Sequence, residues 1–365
     1  MMKGTGVALV LALFSAICFG QGLEQKLRVF TWYGYVTSQD IEAVDKLLEA
    51  AGNPVRVEVI STVAEGPEQM FQVIRRGDAD LTFLTLNYIK MQNEKIGKLL
   101  QPINTDSSRL GNYASVIPAL KTIPMGVIDG RSYYVPFGGG AYGLWANMKL
   151  VSAADLPHRI GDLLNPRWTG KISLTDGQIQ PNIALALLAN RHAPFAINDL
   201  ITTNRAEALA LAAPGGEVQS FLGKLYGQVG AFWSTAPTFA APLEIVASYG
   251  PEIGGLRAKG EDWQLIEFEE GNTVWLDTMN IVAGVSGAKL EAAEIFINYF
   301  LSKAVQDRVV NGLSMVAVTT DVTNPEIEAN PDFFDPKMFW PPYEAAADNM
   351  MKKMSDHAKA SKAAE

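Results

Sequence analysis

The stretch KLRVFTWYGYVTSQDIEAVDKLLEAAGNPVRVEVIS, residues 26–61, decides the fold class. Its opening LRVF reads as a short buried strand. In the segment that follows, Thr37 and Asp40 have the spacing of a capping box. Ile41, Val44, Leu47 and Leu48 recur at helical intervals, and Gly52 supplies the stop. VRVEVIS then alternates as a strand does. The next stretch, GPEQMFQVIRRG (66–77), starts a helix at Pro67, whose missing N–H is harmless in a first turn, and ends at Gly77. ADLTFLTL (79–86) is another buried strand. Strand, helix, strand, helix, strand over residues 26–86 predicts an α/β fold with helices covering a parallel sheet.

In such sheets ligands lie beyond the carboxyl ends of the strands. FTWYGYVT (30–37) begins there, so Trp32 and Tyr35 are expected at a cleft rather than in a core. Thr85 and Asn87 fall at the equivalent end of the strand covering 80–86 and should face the same cleft.

Farther along, YYVPFGGGAYGLWAN (133–147) is Gly-rich and extended, LLNPRWTGKISLTDG (163–177) is a second strand-to-loop unit, and PNIALALLAN (181–190) is helical. NTVWLDTMNIVAG (272–284) is extended again, and KLEAAEIFINYFLSKAVQDRVV (289–310) reads as one amphipathic helix. Two extended segments flanking a middle region predict a second lobe inserted between halves of the first. The expected division is 24–136 with 279–320 for one lobe and 137–278 for the other. A tail, 321–365, packs across them and ends in a docked helix that frays.

A chain of 365 residues, 48% hydrophobic and 19% charged, can core two lobes. Lys3, the apolar run 7–19 and Gly20-Gln21 have the form of a secretory signal over residues 1–20, too short to span a bilayer. Periplasmic export follows. Cys18, the single cysteine, falls inside that signal, and Ile17 before it disfavours lipid attachment; the mature chain then has no disulfide and no thiol chemistry. A net charge of −9 without a basic, aromatic-interleaved run argues against nucleic acid as a partner.

Other chemistries lack anchors. GGGAYG (138–143) fits G-x-G-x-x-G formally but opens no helix, and a hinge between lobes accounts for the glycines better. His158, His192 and His357 have no spacing suited to zinc, and no G-x-S-x-G occurs. No cofactor, metal or catalytic function is therefore expected. VWLDT (274–278) is more informative, because an acid between apolar residues is costly without a partner. Asp277 either makes an internal salt bridge or cap, or points into the cleft beside Trp275, where the pair would suit an organic ammonium.

LRVFTWYGYV, GDADLTFLTLNYIKMQNEKIGKLLQPIN, YYVPFGGGAYGLWAN, LNPRWTGKISLTDG and GNTVWLDTMNIVAG, taken together and in order, resemble the extracellular solute-binding proteins of ABC importers, most nearly the spermidine/putrescine-binding subgroup. The resemblance spans most of the mature chain. It implies a type II periplasmic-binding-protein fold of two α/β lobes with crossover strands as hinge, a monomer that closes on an organic amine, a permease partner in the inner membrane, and no catalysis. Trp32 and Tyr35 match the subgroup's first-strand aromatic pair, Thr85 its third-strand hydroxyl, and Trp275 and Asp277 the tryptophan and amine-binding aspartate of the crossover. Tyr249 stands for a further aromatic wall, with Trp233 in competition. Gly34 replaces an acid, Asn87 a tyrosine, and Gly177 and Gln180 two more acids, with Asp176 adjacent to them; Asn87, Asp176 and Gln180 are counted with the other matched residues as expected ligand contacts. This loss of acids implies a ligand with few charges. An adaptor of a membrane sensor, or a binder of an amino acid or betaine-like compound, is the alternative reading.

Overall fold

The computed structural model describes residues 25–91 and 96–363. The expected signal, 1–20, and Cys18 lie outside the described residues.

The opening stretch folds as its pattern dictates. Strand β1 (Lys26–Phe30) leads to helix α1 (Ser38–Ala50) and strand β2 (Arg56–Val59). Thr37 accepts the Asp40 N–H at 3.2 Å while its own N–H donates to the Asp40 carboxylate at 2.8 Å, completing the capping box. Asp40 is buried and also receives Arg308 at 2.8 Å and the Tyr299 hydroxyl at 3.1 Å, which fixes the helix start against later elements. Helix α2 (Pro67–Arg76) ends at Gly77, whose φ of 72° a side chain would strain, before β3 (Leu81–Thr85) and the short α3 (Leu86–Met91).

The 13-residue β4 (Val135–Asn147), buried along its whole length, carries the chain out of this unit. There follow β5 (Ile172–Thr175), α4 (Gln180–Ala189), α5 (Glu217–Gln228), β6 (Val229–Trp233), β7 (Ile245–Ser248) and β8 (Trp263–Leu265). β9 (Thr273–Ile281) brings the chain back, to α6 (Ala288–Phe300), α7 (Lys303–Leu313), β10 (Val316–Ala317) and the terminal α8 (Ala345–Ala363).

The main sheet runs β2-β1-β3-β9-β4-β7-β5-β6, with β8 and β10 paired to β4. β1 is parallel to β2 and β3, and β5 is parallel to β6 and β7, whereas β4 and β9 run antiparallel to their neighbours. These two long strands are the crossovers of a two-lobed α/β fold. One core includes Phe30, Phe71, Phe83, Phe137, Phe296 and Phe300. The other includes Leu144, Trp168, Leu174, Leu185, Leu222 and Tyr226. The tail contributes to both, with Phe333, Phe334 and Phe339 in the first and Met351 and Met354 in the second.

One sequence expectation changes, and another gains a packing reason. The helix expected over 289–310 is two helices, because Leu301-Ser302 turns the chain. Gln306 Nε2 donates to the freed Phe300 carbonyl at 2.9 Å and to Phe137 at 3.0 Å, paying the polar cost of the break. The glycines 138–140, expected at a hinge, lie within the crossover strand β4 and adopt no positive φ. They also supply space: an added Cβ would lie 2.7 Å from Met315 at Gly138, 2.8 Å from Phe334 at Gly139, and 2.7 Å from the Trp275 ring at Gly140.

Candidate functional site

β9 sets the floor of a cavity of about 590 Å³ between the crossovers, the strand ends and the tail, within the range of small-molecule sites. Trp275 and Asp277, two apart on an extended strand, share a face and both line it. Trp275 is registered opposite Gly140, where the missing side chain leaves room for the indole edge. Asp277 is registered opposite Thr85 on one side and Gly138 on the other, and the β9–β4 ladder is irregular just after it.

Asp277 is 4% exposed. The Tyr35 hydroxyl donates to one carboxylate oxygen at 2.5 Å and the Thr85 hydroxyl to the other at 2.7 Å. Burial pushes the Asp277 carboxyl up to about 6, against the opposing pull of the two donors, so at neutral pH it holds an ionised carboxylate at a cost. Burial, reinforced by the Asp277 charge, lifts Tyr88 to about 12 and moves Tyr35 upward as well. Among the described residues Asp277 has no ion-pair partner, which excludes the internal salt bridge left open by the sequence.

The other wall comes from the second lobe and the tail. Tyr249 lines the cavity and donates its hydroxyl to Gln178 Oε1; Trp233 sits behind it, edge-on, with ring centroids 6.3 Å apart. Gln180 Nε2 donates to Asp348 Oδ1 at 2.5 Å. The tail crosses the crossover strand through the Trp340 N–H to Val274 carbonyl bond at 3.2 Å, and Asn87 Nδ2 donates to the Pro341 carbonyl at 3.3 Å. Trp340 packs on Phe195 with centroids 5.6 Å apart.

Trp32, Tyr35, Thr85, Asn87, Gln180, Tyr249, Trp275 and Asp277 thus meet at one cavity. Asp176 does not join them. Its carboxylate turns outward to pair with Lys359 of α8, and the glycine that follows it packs against the Ser234 backbone. Sequence reasoning missed Tyr88, Gln178, Trp340, Glu344 and Asp348, all of which line the cavity. The run WPPYE (340–344) held the signal, two aromatics and an acid stiffened by two prolines, but only folding brings it over β9. Three carboxylates, Asp277, Glu344 and Asp348, therefore share a cavity whose described lining includes no Lys, Arg or His.

Residues 98–338 match the family profile described as bacterial extracellular solute-binding protein. The chain belongs to this family. The solute-binding fold extends over nearly all of the chain in comparisons with solved structures. The spermidine/putrescine ABC transporter substrate-binding protein PotD from Streptococcus pneumoniae aligns with a TM-score of 0.70 and 17% identity over 93% of this chain and 99% of that one. The Atu4243–GABA receptor aligns at 0.59 and 15%, over 93% and 98%. A Bordetella ferric binding protein aligns at 0.54 and 14%, over 92% and 99%. At these identities the likeness is one of fold, and it spans neighbours whose names carry different ligands. No curated protein matches the sequence. Proteins of this family and fold bind solutes and are not enzymes. No described helix of this solute-binding protein is long and apolar enough to cross a membrane.

Proposed function

We propose that this solute-binding protein captures a small organic cation of the polyamine-like class and delivers it to an ABC permease in the inner membrane. The observation that carries the reading is Asp277: a carboxylate 4% exposed, held by two hydroxyls and no cation, beside the Trp275 indole. A buried carboxylate needs a countercharge, and an alkylammonium supplies it while its methylenes lie against Trp32, Tyr249 and Trp275. A zwitterion such as GABA would bring its own carboxylate into a cavity already holding three, with no basic side chain among the described lining. Glu344 and Asp348 replace in part the charge that Gly34, Gly177 and Gln180 had removed from the expected acid set.

In this reading the working lobes are 24–136 with 279–320, and 137–278, closing as a periplasmic monomer after removal of the 1–20 signal. Titration calorimetry of the mature chain with 1-aminobutane, 1,4-diaminobutane, spermidine, γ-aminobutyrate and glycine betaine tests the ligand class. The amines should bind, and Asp277→Ala should abolish the heat. Tighter binding of a zwitterion than of every amine sinks the assignment. Unchanged uptake of the bound amine by a deletion strain would count against transport.

A further inference from the structure

We propose that Asp348 is a second cation-binding carboxylate of the cavity, so that the occupant carries positive charge at both ends. The assignment rests on the organic-cation reading and adds a residue on the C-terminal helix that the first-strand and crossover motifs did not nominate.

Asp348 sits in the first turn of α8 and lines the cavity. One of its oxygens, Oδ1, accepts from Gln180 Nε2 at 2.5 Å, and it enters no ion pair among the described residues. The contrast with Asp176 is direct, since that acid is neutralised by Lys359 and stands outside the cavity. Glu344, the other tail acid at the cavity, is committed to the start of α8, where Oε2 accepts the Ala347 N–H at 2.7 Å.

The two carboxylates are anchored to opposite lobes. Asp277 stands on the crossover strand β9 at the boundary, where it pairs with β3, and is held there by the first-lobe residues Tyr35 and Thr85. Asp348 travels with the second lobe, because α8 is fastened to α5. The Tyr226 hydroxyl meets the Ser355 hydroxyl at 2.8 Å and Gln219 Nε2 donates to the Met354 carbonyl at 3.1 Å, with Met351 and Met354 in that lobe's core. A dication held at both ends ties the lobes together through one molecule, and its second contact forms at high effective concentration once the first is made. A monocation satisfies one acid and leaves the other unpaired, so it gains nothing from closure at Asp348. Ligand charge number thereby becomes a determinant of both affinity and closure.

The experiment is calorimetry on the full mature chain with 1-aminobutane and 1,4-diaminobutane, using wild type, Asp348→Asn and Asp277→Asn. Asparagine keeps an oxygen to accept from Gln180, and Asp348→Glu serves as a charge-retaining rescue. The expected result is a diamine preference of about tenfold or more in wild type, as a charge-assisted contact provides. Asp348→Asn should remove most of that preference, weakening 1,4-diaminobutane far more than 1-aminobutane, Asp348→Glu should restore it, and Asp277→Asn should weaken both probes. Equal loss for both probes in Asp348→Asn, or no loss for either, overturns the assignment of Asp348 and leaves the organic-cation reading standing. Binding of neither amine to wild type overturns both.

Discussion

Replacing Asp277 by Asn should stabilise the empty protein at neutral pH while destroying the proposed amine site. The folded protein holds this carboxyl at about 6, against an ordinary value of 3.8. Because the folded value is the higher one, the native state binds more protons than the unfolded chain between pH 4 and 6, and stability falls as pH rises through that window. Above it the empty protein carries the full penalty of an ionised, unpaired Asp277. At 1.36 kcal/mol per pH unit this is about 3 kcal/mol. Asn removes that ionisation, keeps an oxygen for the Thr85 hydroxyl and presents its NH₂ to the Tyr35 oxygen. The variant should therefore match wild type near pH 4 and exceed it by about 3 kcal/mol at pH 7.5, a rise in melting midpoint of about 4 °C for a chain of this length. Scanning calorimetry across pH 4–8 reads this directly. A stability difference that does not change with pH would refute the reasoning, since only a titrating group produces one that does. In wild type an ammonium on Asp277 favours the ionised form. Amine affinity should therefore fall by up to about tenfold per unit as pH drops below 6, with proton release on binding.

Trp32→Ala and Trp275→Ala should each weaken 1,4-diaminobutane binding by more than about 1 kcal/mol in calorimetry; unchanged affinity in both would return these rings to a purely structural role. Gly140→Ala should cost about 1–3 kcal/mol and alter the near-ultraviolet dichroism of Trp275, because the new methyl would start 2.7 Å from its ring. An unperturbed spectrum with full stability would mean that β4 yields there at no cost. Asp176→Ala should leave amine affinity unchanged and shift stability by less than about 1 kcal/mol, as expected for an exposed pair with Lys359; a lost amine site would place Asp176 back at the cavity.

Much of this protein was legible in its sequence because the deciding features are local. The Thr37/Asp40 box, Pro67 and Gly77 mark helix ends within a few residues of themselves, and the alternation in β2 follows from a two-residue repeat. Trp32, Tyr35 and Thr85 lie at or just beyond strand ends, as that strand order implies, and Asp277 stood out as an acid between apolar residues, so these side chains could be nominated from the sequence. What folding alone decided involves long separations in the chain. Asp176 and Gln180 stand four residues apart, yet the first pairs outward with Lys359 and the second donates to Asp348, a difference set by how α8 packs on α5. Glycines 138–140 read in one dimension only as backbone freedom, and in three they are also slots for Trp275, Phe334 and Met315. The charge in the cavity was undercounted for the same reason: Glu344 and Asp348 lie in a tail read only as packing across the lobes, and the passage of that tail across β9 brings them to the cavity.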